Sequence, residues 1–374
     1  MARLEDICSI NMGQSPESSS YNESGEGIPF FQGNADFGEL HPKVRIWCNA
    51  PTKIAECGDI LISVRAPIGA LNIADKQCCI GRGLAALTTN ETLCDQKYLW
   101  YGLECKVDEL NSKGTGSTFK AINKKTLAET EIPLPPLEEQ RRIAALLDKI
   151  SDLIAKRWAQ MDKLDLLVKS RFVEMFGDPV SNEKNWPIVT LGDVAEIRIG
   201  PFGSLLHKED YITGGHALIN PSHIIDGHIC IDEKLTVSDE KYDELSAYQL
   251  KIDDIVLGRR GEMGRCAVVH QEGLLCGTGS MIIRPNAQMK PYFLQNIISN
   301  PAYKKIIEDK AVGVTMMNLN VPIVSALTVP LLPVHMQEQF IDFIGRVSKS
   351  KLTIQRSLDK LEILKKALMQ QYFG

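Results

Sequence analysis

Apolar residues recur every seven positions along two stretches of the chain, and this is its strongest pattern. Leu147, Ile154, Met161, Val168 and Met175 form one row, with Ile143, Ile150 and Leu164 beside it. Phe340, Val347, Ile354, Leu361 and Leu368 form the other. This spacing puts one apolar stripe along a helix face. Each stretch runs for about 40 residues, roughly 60 Å at the α-helical rise, which exceeds the diameter of a small domain. The proline-rich leads at 132–136 and 329–333 cannot continue a helix backwards, and Pro136 and Pro333 suit a helix start. Arg157, Lys351 and Lys365 interrupt the stripes, so the pairing predicted is looser than a perfect zipper. Two stripes of this unusual length predict an antiparallel pair of helices that holds two front domains apart.

The parts in front of the helices, about 1–133 and 180–330, read differently. Short β-rich runs such as DILISV (59–64), DIVL (254–257) and SMIIR (280–284) alternate with Gly, Asn, Asp and Pro punctuation. Short helices are predicted near 95–111 and 290–309. The fold class expected is mixed α/β (α+β), with two mostly β, mostly antiparallel domains.

A repeat joins these pieces. IPLPPLEEQRRI at 132–143 returns as VPLLPVHMQEQF at 329–340, a shift of 197. The same shift carries Gly116, Thr118 and Asn123 onto Gly313, Thr315 and Asn320, Asp162-Lys163-Leu164 onto Asp359-Lys360-Leu361, and Phe176-Gly177 onto Phe373-Gly374. Upstream the correspondence persists with a drifting shift. Leu4-Glu5-Asp6-Ile7 matches Leu191-Gly192-Asp193-Val194, Gly58-Asp59 matches Asp253-Asp254, and Gly81-Arg82-Gly83 matches Gly277-Thr278-Gly279. The chain is a duplication with an internal pseudo-two-fold repeat, its back parts closely matched and its front parts divergent. The boundaries expected are 1–133, 134–177, 178–330 and 331–374.

Composition narrows the function without naming it. The N-terminus lacks a charged segment followed by an apolar run, and no stretch approaches 18 uninterrupted apolar residues, so a cytoplasmic protein without a membrane span is expected. Ten scattered cysteines with no C-x-x-C read as free thiols. His216, His223, His228 and Cys230 lie close together, but their spacing fits no zinc template. A net charge of -5 argues against nucleic acid on a whole-chain view, yet residues 112–125 hold four lysines and no acid.

The order of these motifs, twice over, resembles the specificity subunit of type I restriction and modification systems. The resemblance spans essentially the whole chain: GDILISVRAPIG (58–69), the Gly-Ser-Thr segment at 116–118 before Ile122-Asn123, and the proline-then-EEQ entry to the helix. It implies target recognition domains at 1–133 and 178–330, each reading half of a split double-stranded DNA site, with spacer helices at 134–177 and 331–374 setting the gap. It further implies a chain with no catalysis or cofactor of its own. Two methyltransferase subunits would carry S-adenosylmethionine, and motor-nuclease restriction subunits would carry ATP and Mg. Because the front domains differ, the site expected is asymmetric.

Bases are read by side chains that reach their edges, while lysines, hydroxyls and amides hold phosphate. The candidates for base reading are Gln32 and Asn34 in the first domain and Asn220, Ser222 and His223 in the second. Arg65, Arg259 and Arg260 suit base and phosphate alike, and Lys113, Thr115, Ser117, Thr118, Lys120 and Lys124 suit a phosphate-clasping loop. Gln32 and Asn220 equally suit turn caps, and Asn123 and Asn320 suit the loop before each helix. VGVTMMNLNVP at 312–322 has no lysine, which puts the phosphate role of that loop in the second domain in doubt. An intrinsic enzyme is disfavoured. Asn220-Pro221-Ser222-His223 lacks the second proline and aromatic of adenine methyltransferases, and Gly114 to Lys120 (GTGSTFK) has the wrong spacing for a phosphate-binding loop. The competing reading is a coiled-coil scaffold that binds protein without DNA specificity.

Overall fold

The computed structural model describes residues 1–374 except 117–119, 203–204, 262 and 314–316. The chain divides into two compact units, Met1–Gln160 with Ile354–Gly374, and Met161–Thr353. Each heptad stripe folds as one helix of 40 residues, Leu137–Phe176 and Val334–Phe373, beginning directly after Pro136 and Pro333.

In the first unit, Cys8–Met12, Leu84–Thr89, Ile60–Ser63 and Leu71–Ile73 form a four-stranded antiparallel sheet in that order. A five-stranded sheet runs Tyr21–Asn22, Ile46–Cys48, Ile28–Phe31, Cys78–Ile80, Ile54–Ala55. In the second unit the four-stranded sheet is Ala195–Ile199, Ser280–Pro285, Ile255–Gly258, Cys266–Val268, beside a three-stranded sheet of Thr236–Val237, His216–Ile219 and Leu274–Cys276. Among the described residues each unit contains one parallel pair, Ile28–Phe31 with Cys78–Ile80 and His216–Ile219 with Leu274–Cys276, and the other named strands pair antiparallel. The repeat is thus one of topology as well as sequence. The predicted short helices are each two, Gln96–Cys105 with Val107–Ser112 and Pro291–Ser299 with Pro301–Lys310.

The long helices run antiparallel. In the first unit Ile143 and Leu147 share a core with Met369 and Phe373. In the second, Phe172 and Phe176 share one with Phe340. Numbers rise on one helix as they fall on the other. Two of the charges that break the stripes are seated in ion pairs, Lys351 on Asp165 and Lys365 on Glu104 at 3.2 Å.

The glutamine of the shared helix entry is an internal clamp. Gln140 is fully buried; its carboxamide oxygen accepts from the Asp95 amide at 2.9 Å, and its nitrogen donates to the carbonyls of Leu93 and Pro135 at 3.0 and 2.8 Å. Gln337 repeats the arrangement with the Lys290 amide and the carbonyls of Gln288 and Leu332 at 2.8–2.9 Å. Each glutamine satisfies every polar group it buries and ties a helix start to its own domain. Replacing Gln337 by leucine is expected to cost about 1–3 kcal/mol, because the Lys290 amide and the carbonyls lose their partner. Urea denaturation followed by circular dichroism measures it.

The Gly-Asp and Asp-Asp motifs have a similar explanation. Asp59 accepts from the Glu56 amide and Asp254 from the Lys251 amide, both at 2.8 Å, which closes a turn ahead of a central strand. The residue before each aspartate has positive φ, +93° at Gly58 and +72° at Asp253, a conformation glycine adopts freely and aspartate tolerates. All ten cysteines are free.

Candidate nucleic-acid interface

In the first unit a backbone ladder gathers segments far apart in sequence. Gly83 donates to the Gln32 carbonyl at 3.2 Å, Val64 to that of Gly83 at 2.9 Å, and Ile122 to that of Val64 at 2.9 Å. Ala66 donates to the Lys120 carbonyl at 3.0 Å. Gln32, Arg65, Arg82 and Lys120 therefore stand exposed along one strip. A cleft of about 310 Å³ opens on it, lined by Gln32, Asn34, Asp36, Arg45, Arg65 and Arg82 among others. The structure thus brings Gln32, Asn34 and Arg65 together, and adds two arginines that sequence reasoning missed. Arg82 was visible between the repeated glycines Gly81 and Gly83. Arg45 carried no such signal.

The lysine-rich loop lies beside this strip. Thr115 and Ala121 exchange backbone hydrogen bonds at 3.0 and 2.9 Å, and Lys120 and Lys124 are exposed. Lys113 donates to Glu109 at 2.6 Å, which commits part of its charge, and that contact is the first cause holding the Glu109 carboxyl below its usual range. Ser117 and Thr118 lie outside the described residues. Asn123 caps the helix Lys124–Ala128 through the Thr126 amide at 2.9 Å, and Asn320 does the same for Val321–Ser325 through the Ile323 amide.

The second unit builds the same ladder with other side chains. Gly277 donates to the Ile219 carbonyl at 2.9 Å as Gly81 does to that of Phe31 at 2.8 Å, Arg259 to that of Gly279 at 3.0 Å, and Leu319 to that of Arg259 at 3.0 Å. The place of the Gly83–Gln32 bond is taken by Gly279 donating to the Asn220 side-chain oxygen at 3.4 Å. Arg259 therefore occupies the buried place of Val64, and Arg260 the exposed place of Arg65. The Arg259 side chain donates to the Thr278 carbonyl at 3.2 Å, and burial, with the adjacent Arg260 charge, lowers its pKa. Arg260 lies 3.4 Å from the Asn318 side chain. Asn220 is turned to the frame, where its oxygen fills the space a side chain at Gly277 would need. His223 is buried, its Nδ1 2.9 Å from the Leu218 carbonyl. Ser222 and Arg260 are the exposed members of the candidate set here. Among the described residues no group of three or more His, Cys, Asp or Glu is arranged to hold a metal, and no helix is long and apolar enough to cross a membrane.

Two equivalent strips with unlike exposed side chains meet a decisive comparison. Residues 1–161 and 183–363 each match the family described as type I restriction modification DNA specificity domain. The chain belongs to this family. It is 47% identical over 156 residues to a putative type I restriction enzyme MjaX specificity subunit of Methanocaldococcus jannaschii, a match covering 42% of this chain and 37% of that protein. Against the MjaIX specificity subunit of the same organism identity is 25%, over 70% of this chain and 66% of that one. The matches therefore span about a third to two thirds of these relatives' lengths. The EcoBI specificity subunit of Escherichia coli is 18% identical over 90% of this chain and 77% of its own. The fold is that of the type I S subunit from M. genitalium, with TM-score 0.59 at 16% identity over 100% of this chain and 95% of that one.

Proposed function

We propose that the chain is the DNA-reading specificity subunit of a type I restriction and modification complex, directing methyltransferase and restriction subunits to a bipartite, asymmetric site. Domain 1–133 reads one half-site and domain 178–330 the other, with the segments 134–177 and 331–374 as the spacer. The observation that carries this is the pair of equivalent ladders: one frame, built twice, presents Gln32, Asn34, Arg65 and Arg82 in one copy and Ser222, Thr278 and Arg260 in the other. Two unlike strips on a common frame fit two unlike half-sites. S-adenosylmethionine, ATP and Mg belong to the partner subunits in this reading.

Exchanging residues 1–133 for those of another family member, in a chain assembled with its methyltransferase subunit, is expected to change one half of the methylated site and leave the other half unaltered. Methylation mapping reads this, and a chain that binds DNA without sequence preference contradicts it. The loop makes a separate prediction. Changing Lys120 and Lys124 together to alanine is expected to weaken binding to all sequences alike and to reduce the slope of log K against log salt by about 2, roughly 0.9 for each phosphate that is no longer neutralised. Binding titrations at several salt concentrations measure the slope.

A further inference from the structure

The two copies share several structural devices, and among the described residues each holds an ion pair on a buried aspartate that the other lacks, Asp36 with Arg45 in the first and Asp254 with Arg284 in the second. Asp36, 8% exposed, sits in the turn Asn34–Asp36, where one carboxylate oxygen accepts from the backbone amides of Gln32 and Gly33 at 2.8 and 3.4 Å. Its other oxygen accepts from Arg45 Nε at 3.1 Å and from Arg45 Nη2. The carboxylate cannot turn without opening the turn, and it fixes the guanidinium along its Nε–Nη2 edge. The Arg45 side chain is nevertheless 60% exposed and lines the cleft. Its further contact, Nη2 to the Ala35 carbonyl, is long at 3.4 Å.

We propose that Arg45 reads a guanine in the half-site of the first domain, with Asp36 as its positioning residue. This rests on the DNA-reading role proposed above. Guanine presents O6 and N7 side by side in the major groove, and a guanidinium meets both with two parallel N–H groups. Asp36 occupies one edge of Arg45 and leaves the Nη1–Nη2 end for such a pair. A lock of this kind lowers the ordering cost of a directional contact. A phosphate is held by the point charge of a lysine as well as by a guanidinium fork, whereas the paired O6 and N7 of guanine are met by the fork.

The second unit makes that contrast internally. Phe31 and Ile219 are equivalent through the carbonyls that receive Gly81 and Gly277, which sets Asp36 against His223 at the end of each turn. Phe30 pairs with Ile46, and Leu218 donates to the Leu235 carbonyl, which sets Arg45 against Lys234. The second copy keeps the charge and drops the fork with its lock. The helix-entry glutamines, Gln140 and Gln337, and the capping asparagines, Asn123 and Asn320, are kept in both. The Asp254–Arg284 pair of the second unit lies inside its frame, whereas Arg45 opens onto the cleft.

The test is Arg45→Lys, which retains Asp36 and the charge, in the chain assembled with its methyltransferase subunit. Methylation mapping, and binding to duplexes varied one base pair at a time, give the readout. The expected result is loss of preference at one G·C pair of the first half-site by about ten- to a hundredfold, with the gap and the second half-site unchanged. Asp36→Asn is expected to relax the same base pair by less. Uniform weakening with preferences intact would make Arg45 a phosphate contact and overturn the proposal, as would an unchanged site. If the unsubstituted chain shows no sequence preference at all, the DNA-reading role itself fails, an outcome distinct from either.

Discussion

Inserting four residues between Lys156 and Lys163, and the same length between Thr353 and Lys360, is expected to lengthen the tolerated gap between half-sites while both half-site sequences stay the same. Four residues add one turn, about 6 Å. Base pairs rise about 3.4 Å each, so the gap is expected to grow by one to two. The insertion is made at the same repeat register in both helices because they run antiparallel. An insertion in one alone would displace Ile143 and Leu147 from Met369 and Phe373, or Phe172 and Phe176 from Phe340. Sequencing of methylated sites gives the result directly. Altered half-sites with an unchanged gap would mean that the helices are not the ruler.

The helices were legible because their stripes are long and their period is unambiguous. Forty residues of heptad spacing leave little room for another structure, and the prolines mark both starts. The strand order was not legible. The parallel pairs join residues about 50 positions apart through loops whose lengths differ between the copies, and alternation within a short strand says nothing about its neighbour.

Within the site, legibility followed position on the ladder. Arg65 lies just past the strand Ile60–Ser63, where the chain leaves the continuously buried run 59–64, and it is exposed. Arg259 and Arg260 are adjacent and chemically identical, so the sequence cannot distinguish them. The ladder sends the first inward, beside the Thr278 carbonyl, and the second outward. Asn220 and His223 are polar residues at a strand end, as Gln32 and Asn34 are, but in the second copy the His223 ring folds back onto the Asn220 amide and the Asn220 side chain accepts from the Gly279 amide. Arg45 escaped notice because its significance lies in Asp36, nine residues earlier and across a loop.

Phe340→Ala is expected to destabilise the second unit by about 3–5 kcal/mol, the range for deleting a buried aromatic side chain. Phe340 is fully buried, with Phe172 and Phe176 each 5.4 Å away and nearly perpendicular to it. Both also meet Phe293 of the helix Pro291–Ser299, at 5.7 and 5.1 Å. Four rings from three helices thus close one knot. By the repeat register, the same places in the first unit hold Ile143, Met369, Phe373 and Tyr98, which belong to one core with a single ring pair at 4.8 Å. The aromatic version depends more heavily on each member, since every ring makes edge contacts that a smaller side chain forfeits. Ile143→Ala at the equivalent place is therefore expected to cost less, about 2–4 kcal/mol. Thermal unfolding of the two variants compares them, and a Phe340→Ala protein as stable as the parent would show that the knot relaxes around the cavity.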